Sequence, residues 1–223
     1  MNDLICLIKF AKKKSHLEGL MNYGEIFFNK VQTHTDSIEP ERGDSNEGAV
    51  WIENAQIFDI KAEHPVLGIH NFQPQKNTLG KIVQYNFNFL SHSLYKITPD
   101  IFSKSDIFQI NETMEEFGQY ALMIKKPYDF FNALVSELKR QKIQYEIKAI
   151  EYKDLSKEGR FTVTPFIKDK AYSHQNEIRI IIKNIENQAK SIQIGSIADY
   201  CILTDSQTMV ETVWEAKRND KNE

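Results

Sequence analysis

Two short segments of this chain carry side chains whose types and spacing could do chemistry. The first is Gln175-Asn176-Glu177, which stands directly before the β-branched run Ile178 to Ile182. In an extended strand, residues two apart share a face, so Gln175, Glu177 and Arg179 would project together into a neighbouring cleft. A carboxylate held there beside an amide can stabilise an oxocarbenium-like transition state as a glycosidic bond breaks, because positive charge develops next to it. The second segment is Ser91-His92-Ser93, at the C-terminal end of an alternating stretch. A plainer arrangement fits the first segment equally well: Glu177 and Arg179 pair on a solvated face, and Gln175 merely ends a loop.

Other constellations are weaker. Glu41-Arg42-Gly43-Asp44-Ser45-Asn46-Glu47-Gly48 reads as a solvated, turn-rich surface loop. Its functional alternative is a flap that brings Asp44 or Glu47 to a site. Glu146-Ile147-Lys148 and Glu151-Tyr152-Lys153, with Asp129 upstream, have the composition of a magnesium-dependent nuclease set. Asp129, however, opens a helix, where such a set needs a strand. The six histidines have no metal-ligand spacing, and Cys6 and Cys201 lie in apolar runs as buried thiols. His174 reads as a surface-loop residue, with general base as its functional alternative. Tyr85, Phe87 and Phe89 read as core on an alternating strand before they read as a base-stacking platform. Glycine-rich phosphate loops and nucleophile elbows are absent from the sequence.

The Gln-x-Glu tripeptide before a hydrophobic strand resembles the signature of the ADP-ribosyltransferase superfamily, in the branch with arginine, serine and Gln/Glu-x-Glu motifs. The resemblance implies NAD as cofactor. It makes Glu177 the residue that stabilises the oxocarbenium and Gln175 the one that orients the acceptor. Ser91-His92-Ser93 matches the serine motif, so Ser91 or Ser93 would hold Glu177. The family's first-strand arginine has no counterpart: Ile8-Lys9-Phe10 offers Lys9 for the phosphate contact, with Phe10, Tyr172 and Arg179 as further cofactor contacts. A second likeness spans more of the chain. Glu151-Tyr152-Lys153-Asp154, Phe166-Ile167-Lys168 and Tyr172 to Arg179, in that order, are similar to bacterial proteins found in phages and near defence genes. The setting implied is a toxin or phage conflict. The alternative class is a non-catalytic interaction protein, such as a phage-encoded inhibitor or a defence-system component, and metal-dependent nuclease is the second alternative.

The elements expected to position these residues alternate between short strands and a few helices. Leu4 to Phe10 is a strand. Ser15 and Glu18 form a capping-box pattern for a helix that ends near Gly24, and Glu25 to Asn29 is a second strand. Thr33 to Gly48 is a loop, and Val50 to Ile60 holds one or two strands. Lys81 to Leu90 alternates as one half-buried strand that delivers Ser91 to Ser93 at its end. Tyr120 to Lys125 is a strand. Pro127 and Asp129 open an amphipathic helix with Phe130, Leu134 and Leu138 at fourfold spacing. Tyr145 to Tyr152, Phe161 to Ile167, Ile178 to Lys183, Ser191 to Ile194 and Tyr200 to Leu203 are strands. Ser206 caps a last helix that runs through Trp214. Together these predict an α+β fold of mostly antiparallel sheet with flanking helices, in one domain over 1–216 followed by a charged tail at 217–223. The family resemblance adds a split sheet to that expectation.

Composition agrees. With 223 residues, 41% hydrophobic and 26% charged, the chain can bury a core without disulfide or metal staples. A net charge of −3 does not indicate nucleic acid as a partner. The short apolar opening precedes its basic run Lys12-Lys13-Lys14, the reverse of a secretory leader, and apolar stretches fall short of the ~20 residues of a membrane helix. The expected location is the cytoplasm.

Overall fold

The computed structural model describes residues 4–31, 33, 43–73, 78–183 and 188–217. Most of the expected 33–48 loop, including Glu41 and Arg42, and tail residues 218–223 lie outside the described residues, as does His34. The chain opens with β1 (Cys6–Ala11), α1 (Lys14–Tyr23) and β2 (Glu25–Lys30). Then come β3 (Ala49–Gln56), β4 (Ile60–His64), β5 (Gly68–Phe72), β6 (Leu79–Tyr85) and β7 (Phe89–Ile97). β8 (Ile107–Phe108) and β9 (Tyr120–Ile124) lead to α2 (Pro127–Arg140), followed by β10 (Tyr145–Ala149), β11 (Glu151–Lys153), β12 (Gly159–Thr162) and β13 (Ile167–Asp169). The chain finishes with β14 (Glu177–Lys183), β15 (Lys190–Gln193), β16 (Cys201–Asp205), α3 (Ser206–Glu211) and β17 (Trp214–Glu215). This is an α+β fold.

Its spine is an antiparallel sheet in the order β10-β14-β7-β1-β9-β16. Both faces are covered, which is why β1 and β14 read as nearly unbroken apolar runs. Leu7, Leu94, Ile178, Ile180 and Ile182 pack with Leu17 and Leu20 of α1 and with Phe130, Leu134 and Leu138 of α2. On the other face Cys6, Ile8, Phe10, Tyr95 and Ile97 pack with Met114, Met209 and Val210. α2 forms where the fourfold spacing requires, with Pro127 in its first turn and Lys139 and Arg140 in its last, where the dipole favours cations.

β7 is the branch point of the sheet. One edge runs the length of β14, from Glu177↔Tyr95 to Lys183↔Phe89. The other edge is shared: Tyr95, Lys96 and Ile97 pair with β1, whereas Leu90 and Ser91 pair with β2, which continues to β15. His92, Ser93 and Leu94 therefore lie in a fork between two diverging strands, with no strand partner on that edge among the described residues.

Several boundaries differ from those read in the sequence. The 81–93 stretch is two strands rather than one, broken at residues 86–88, where the Asn86 side chain accepts from the Asn88 amide in place of a ladder partner. Ser91 and Ser93 consequently sit mid-strand in β7, not at a strand end. Tyr85 and Phe87 stack on each other at 5.4 Å instead of alternating along one strand. Pro165 interrupts 161–167, and Ile150 separates β10 from β11, which pairs in parallel with β13. The N-cap of α1 is Lys13, not Ser15, and it makes no side-chain capping bond. Gly24 does end α1 in the left-handed conformation, at φ 63°, and any Cβ there would lie 2.1 Å from the Gly195 carbonyl. Asp205, not Ser206, caps α3, which stops at Glu211, so Trp214 pairs with Phe108 in β17. No helix among the described residues is long and apolar enough to cross a membrane.

Candidate functional site

β14 supplies two charged side chains to the face of the sheet opposite α1 and α2. Alternation sends Ile178, Ile180 and Ile182 to the α1/α2 core and leaves Glu177 and Arg179 on the other face, both nearly sealed from solvent. The antiparallel register brings Ser93 of β7 directly opposite Arg179. Its hydroxyl donates to Glu177 Oε1, and Arg179 Nε donates to the same oxygen at 2.8 Å. Glu177 Oε2 faces Lys168 Nζ at 3.5 Å, beyond normal hydrogen-bond length. Burial pushes the Glu177 carboxyl upward, but the Arg179 and Lys168 charges and the Ser93 and Arg179 bonds outweigh it and hold the group at about 2. It is therefore ionised at neutral pH. Burial likewise works against the Arg179 charge, which Glu177 and Glu47 more than restore.

Gln175 does not reach this site by strand alternation. It ends a 3-10 turn over Lys170–Gln175, and Asn176 then adopts the left-handed conformation, at φ 36°, before β14 begins. Asn176 is fixed there by Lys96, whose amide donates to its carbonyl at 2.9 Å and whose carbonyl accepts from its side chain at 2.7 Å. Lys168 is what joins the two residues of the tripeptide: its ammonium donates to Gln175 Oε1 at 2.6 Å while facing Glu177.

The segment expected as a solvated loop is buried where it is described. Asp44 and Glu47 are 3% and 5% exposed. Glu47 lies 2.6 Å from Arg179 Nη1, and Pro165 offers its carbonyl to the same nitrogen at 2.6 Å. Burial, then the neighbouring Glu47 carboxylate, raises the Asp44 carboxyl above its ordinary range. The solvated-face arrangement of Glu177 and Arg179 is overturned by the same burial: their side chains are 7% and 4% exposed.

A cleft of about 610 Å³ opens at the fork, within the ~300–1,000 Å³ usual for small-molecule sites. Lys9, Phe10, Ser91, Ser93, Gln175, Glu177 and Arg179 all line it, as do His92, Glu47 and Lys168. Lys9 reaches into the fork and donates to the Ser93 carbonyl at 2.7 Å, taking the place of a ladder partner. Phe10 lies edge-on to Tyr95. Ser91 shares the face of Ser93, but the bond to Glu177 comes from Ser93. Tyr172 stands behind the site: its ring lies 4.8 Å from the Lys168 ammonium, and its hydroxyl donates to the Gly43 carbonyl at 2.9 Å.

Three contributors carried no role in the sequence reading. Lys168 had no signal beyond its place in Phe166-Ile167-Lys168. Tyr152 accepts the Glu177 amide on its phenol oxygen at 3.0 Å. His92 is buried, and its Nδ1 lies 2.9 Å from the Phe27 carbonyl, which can only accept, so Nδ1 carries the proton. Its Nε2 is buried without a hydrogen-bond partner among the described residues. Burial, and secondarily the Lys9 charge, keep this ring neutral by lowering its pKa well below the usual histidine range. The Glu-x-Lys pairs are exposed ion pairs on β10 and β11. Among the described residues no group of three or more His, Cys, Asp or Glu could hold a metal. Comparison with protein-family models, with curated proteins and with solved structures finds no match to this chain.

Proposed function

We propose that this chain transfers ADP-ribose from NAD to a macromolecular acceptor, with the forked cleft beside β7 as the NAD site. The observation that carries the reading is convergence: Ser93, Gln175, Glu177, Arg179 and Lys9, drawn from three strands and one turn, line a single cleft. A carboxylate kept ionised in a partly dry site is the group needed to stabilise an oxocarbenium-like transition state. Glu177 is that group. Its Oε1 is held by Ser93 and Arg179, while Oε2, with Lys168 at 3.5 Å, keeps lone pairs for a ribose hydroxyl. Gln175 positions the acceptor, Lys9 meets phosphate, and Phe10 and Arg179 shape the cofactor's bed. The fork at β7 supports the split-sheet form of the fold that this chemistry implies.

The test is incubation of the full chain with labelled NAD and a cell lysate, alongside Glu177→Gln. That substitution keeps an oxygen acceptor for Ser93 and Arg179 while removing the charge and putting an amide NH2 in place of Oε2. Label on protein or nucleic acid with the wild type, reduced at least about a hundredfold in the variant, is expected; an electrostatic stabiliser commonly contributes that much. No label in either protein, or equal label in both, defeats the proposal. The second reading, a non-catalytic interaction protein, is favoured by the bare apolar surface of the β4–β5 ribbon.

A further inference from the structure

The β4–β5 ribbon is an anomaly of physical chemistry. Among the described residues β4 and β5 pair only with each other, and every residue of both strands is exposed. Phe58, Ile60, Val66, Leu67, Ile69 and Phe72 all stand in solvent, and Val66 (85%) and Phe58 (79%) are the barest large apolar side chains among the described residues. A two-stranded hairpin with no covering layer is marginal in water, whereas three or more strands with an apolar face hold together. Among the described residues the outer edge of β4 has no strand partner, which makes it a ready template for another strand.

We propose that this edge pairs with β4 of a second copy of the chain, antiparallel about a two-fold axis through Ala62, to form a four-stranded ribbon β5-β4-β4-β5. The register follows from charge. Lys61 and Glu63 flank Ala62 symmetrically on one face, so the two-fold sets Lys61 of each copy opposite Glu63 of the other. Cross-strand pairs of opposite sign stabilise an antiparallel ladder, and like charges there oppose it. The same register sets Ile60 of one copy against His64 of the other, both exposed on the face of Ala62. Isologous contacts of this kind close on themselves and stop at the dimer. The segment 58–72 is shorter than the ~20–30 residues a side of a standard interface, which sets the expected dissociation constant in the micromolar range. This inference goes beyond the transferase reading and does not rest on it.

Sedimentation velocity of the full chain from about 1 to about 100 μM tests the assembly. The wild type is expected to pass from monomer to dimer across that range. Lys61→Glu creates two like-charge contacts and raises the dissociation constant about tenfold or more, while the swap Lys61→Glu with Glu63→Lys restores it to within about threefold. Both side chains are more than half exposed, so loss of their own 3.0 Å ion pair within β4 leaves the monomer folded. Ala62→Cys places two thiols about 4.5–5.5 Å apart between Cα atoms, within disulfide range, and is expected to give a covalent dimer on mild oxidation. Ile60→Cys, also exposed, stands about 13 Å from its own counterpart in this register and stays monomeric on a reducing-agent-free gel. A wild-type monomer at 100 μM overturns the proposal. So does a dimer indifferent to Lys61→Glu, a swap that fails to restore it, or cross-linking of the Ile60→Cys variant in preference to the Ala62→Cys variant; capture of a different protein on the ribbon, without self-association, overturns it in favour of a hetero-partner.

Discussion

Replacing Ser93 by alanine isolates the bond on which the geometry of Glu177 depends. The hydroxyl donates to an ionised carboxylate shielded from water, and bonds to charged groups contribute about 1.5–3 kcal/mol. Arg179 still donates to the same oxygen at 2.8 Å in the variant, so the carboxylate is not orphaned and the cost belongs at the lower end, about 1.5–2 kcal/mol. In a chain of this size that lowers the melting temperature by about 3–8 °C. Ser91→Ala is the control: the same face and the same chemical change, but no bond to Glu177, and a cost under about 1 kcal/mol. Urea unfolding at several pH values adds a sharper criterion. The Glu177 carboxyl is depressed from 4.5 to about 2, so the stability it contributes is present above about 4.5 and is lost as pH falls toward 2. Without Ser93 the folded carboxyl titrates higher, so the gap between wild type and variant is constant from pH 7 to about 5. It then narrows by about a third near pH 3. A Ser91→Ala cost equal to that of Ser93→Ala, or a gap that is independent of pH throughout, refutes this account of the site.

Three further outcomes follow from the same structure. Glu47→Gln withdraws one of the two carboxylates that neutralise buried Arg179 and is expected to destabilise by about 2–4 kcal/mol in urea unfolding, because an under-compensated interior charge is costly; a change under about 0.5 kcal/mol would show that the 43–48 segment does not hold Arg179. His92, kept neutral by burial, takes up its proton only on unfolding, so it should cost the native state up to about 1.4 kcal/mol per pH unit as pH falls below about 6.5. In His92→Phe that component of the slope should vanish, and an unchanged slope contradicts the assignment. Gly118→Ala should abolish soluble expression or lower the melting temperature by more than about 10 °C, since φ there is 143° and a Cβ would lie 2.2 Å from the backbone of Ala11 and Lys12; circular dichroism and thermal melts measure this directly.

Periodicity alone determined a good part of this protein: the existence of β1, β9 and β14, though not their ends, and an α2 whose fourfold spacing of Phe130, Leu134 and Leu138 permits only one buried stripe. The pairing of Glu177 with a serine of Ser91-His92-Ser93 was an expectation from the family resemblance, and it is the antiparallel register of β7 and β14 that brings Ser93 to the carboxylate. What the sequence could not decide was who neutralises whom. Lys168 comes from one short strand, Glu47 from a segment that reads as solvated, Tyr152 from another strand, and their attraction to Glu177 and Arg179 exists only once the sheet folds back on itself. Strand boundaries at 86–88 and around Pro165 likewise turned on local side-chain bonds and a missing donor, which period-two patterning does not sense. Local interactions write themselves into neighbouring residues; the fork at β7, which makes the cleft, is a contest between β1 and β2 for one edge, and distant segments settle it only in three dimensions.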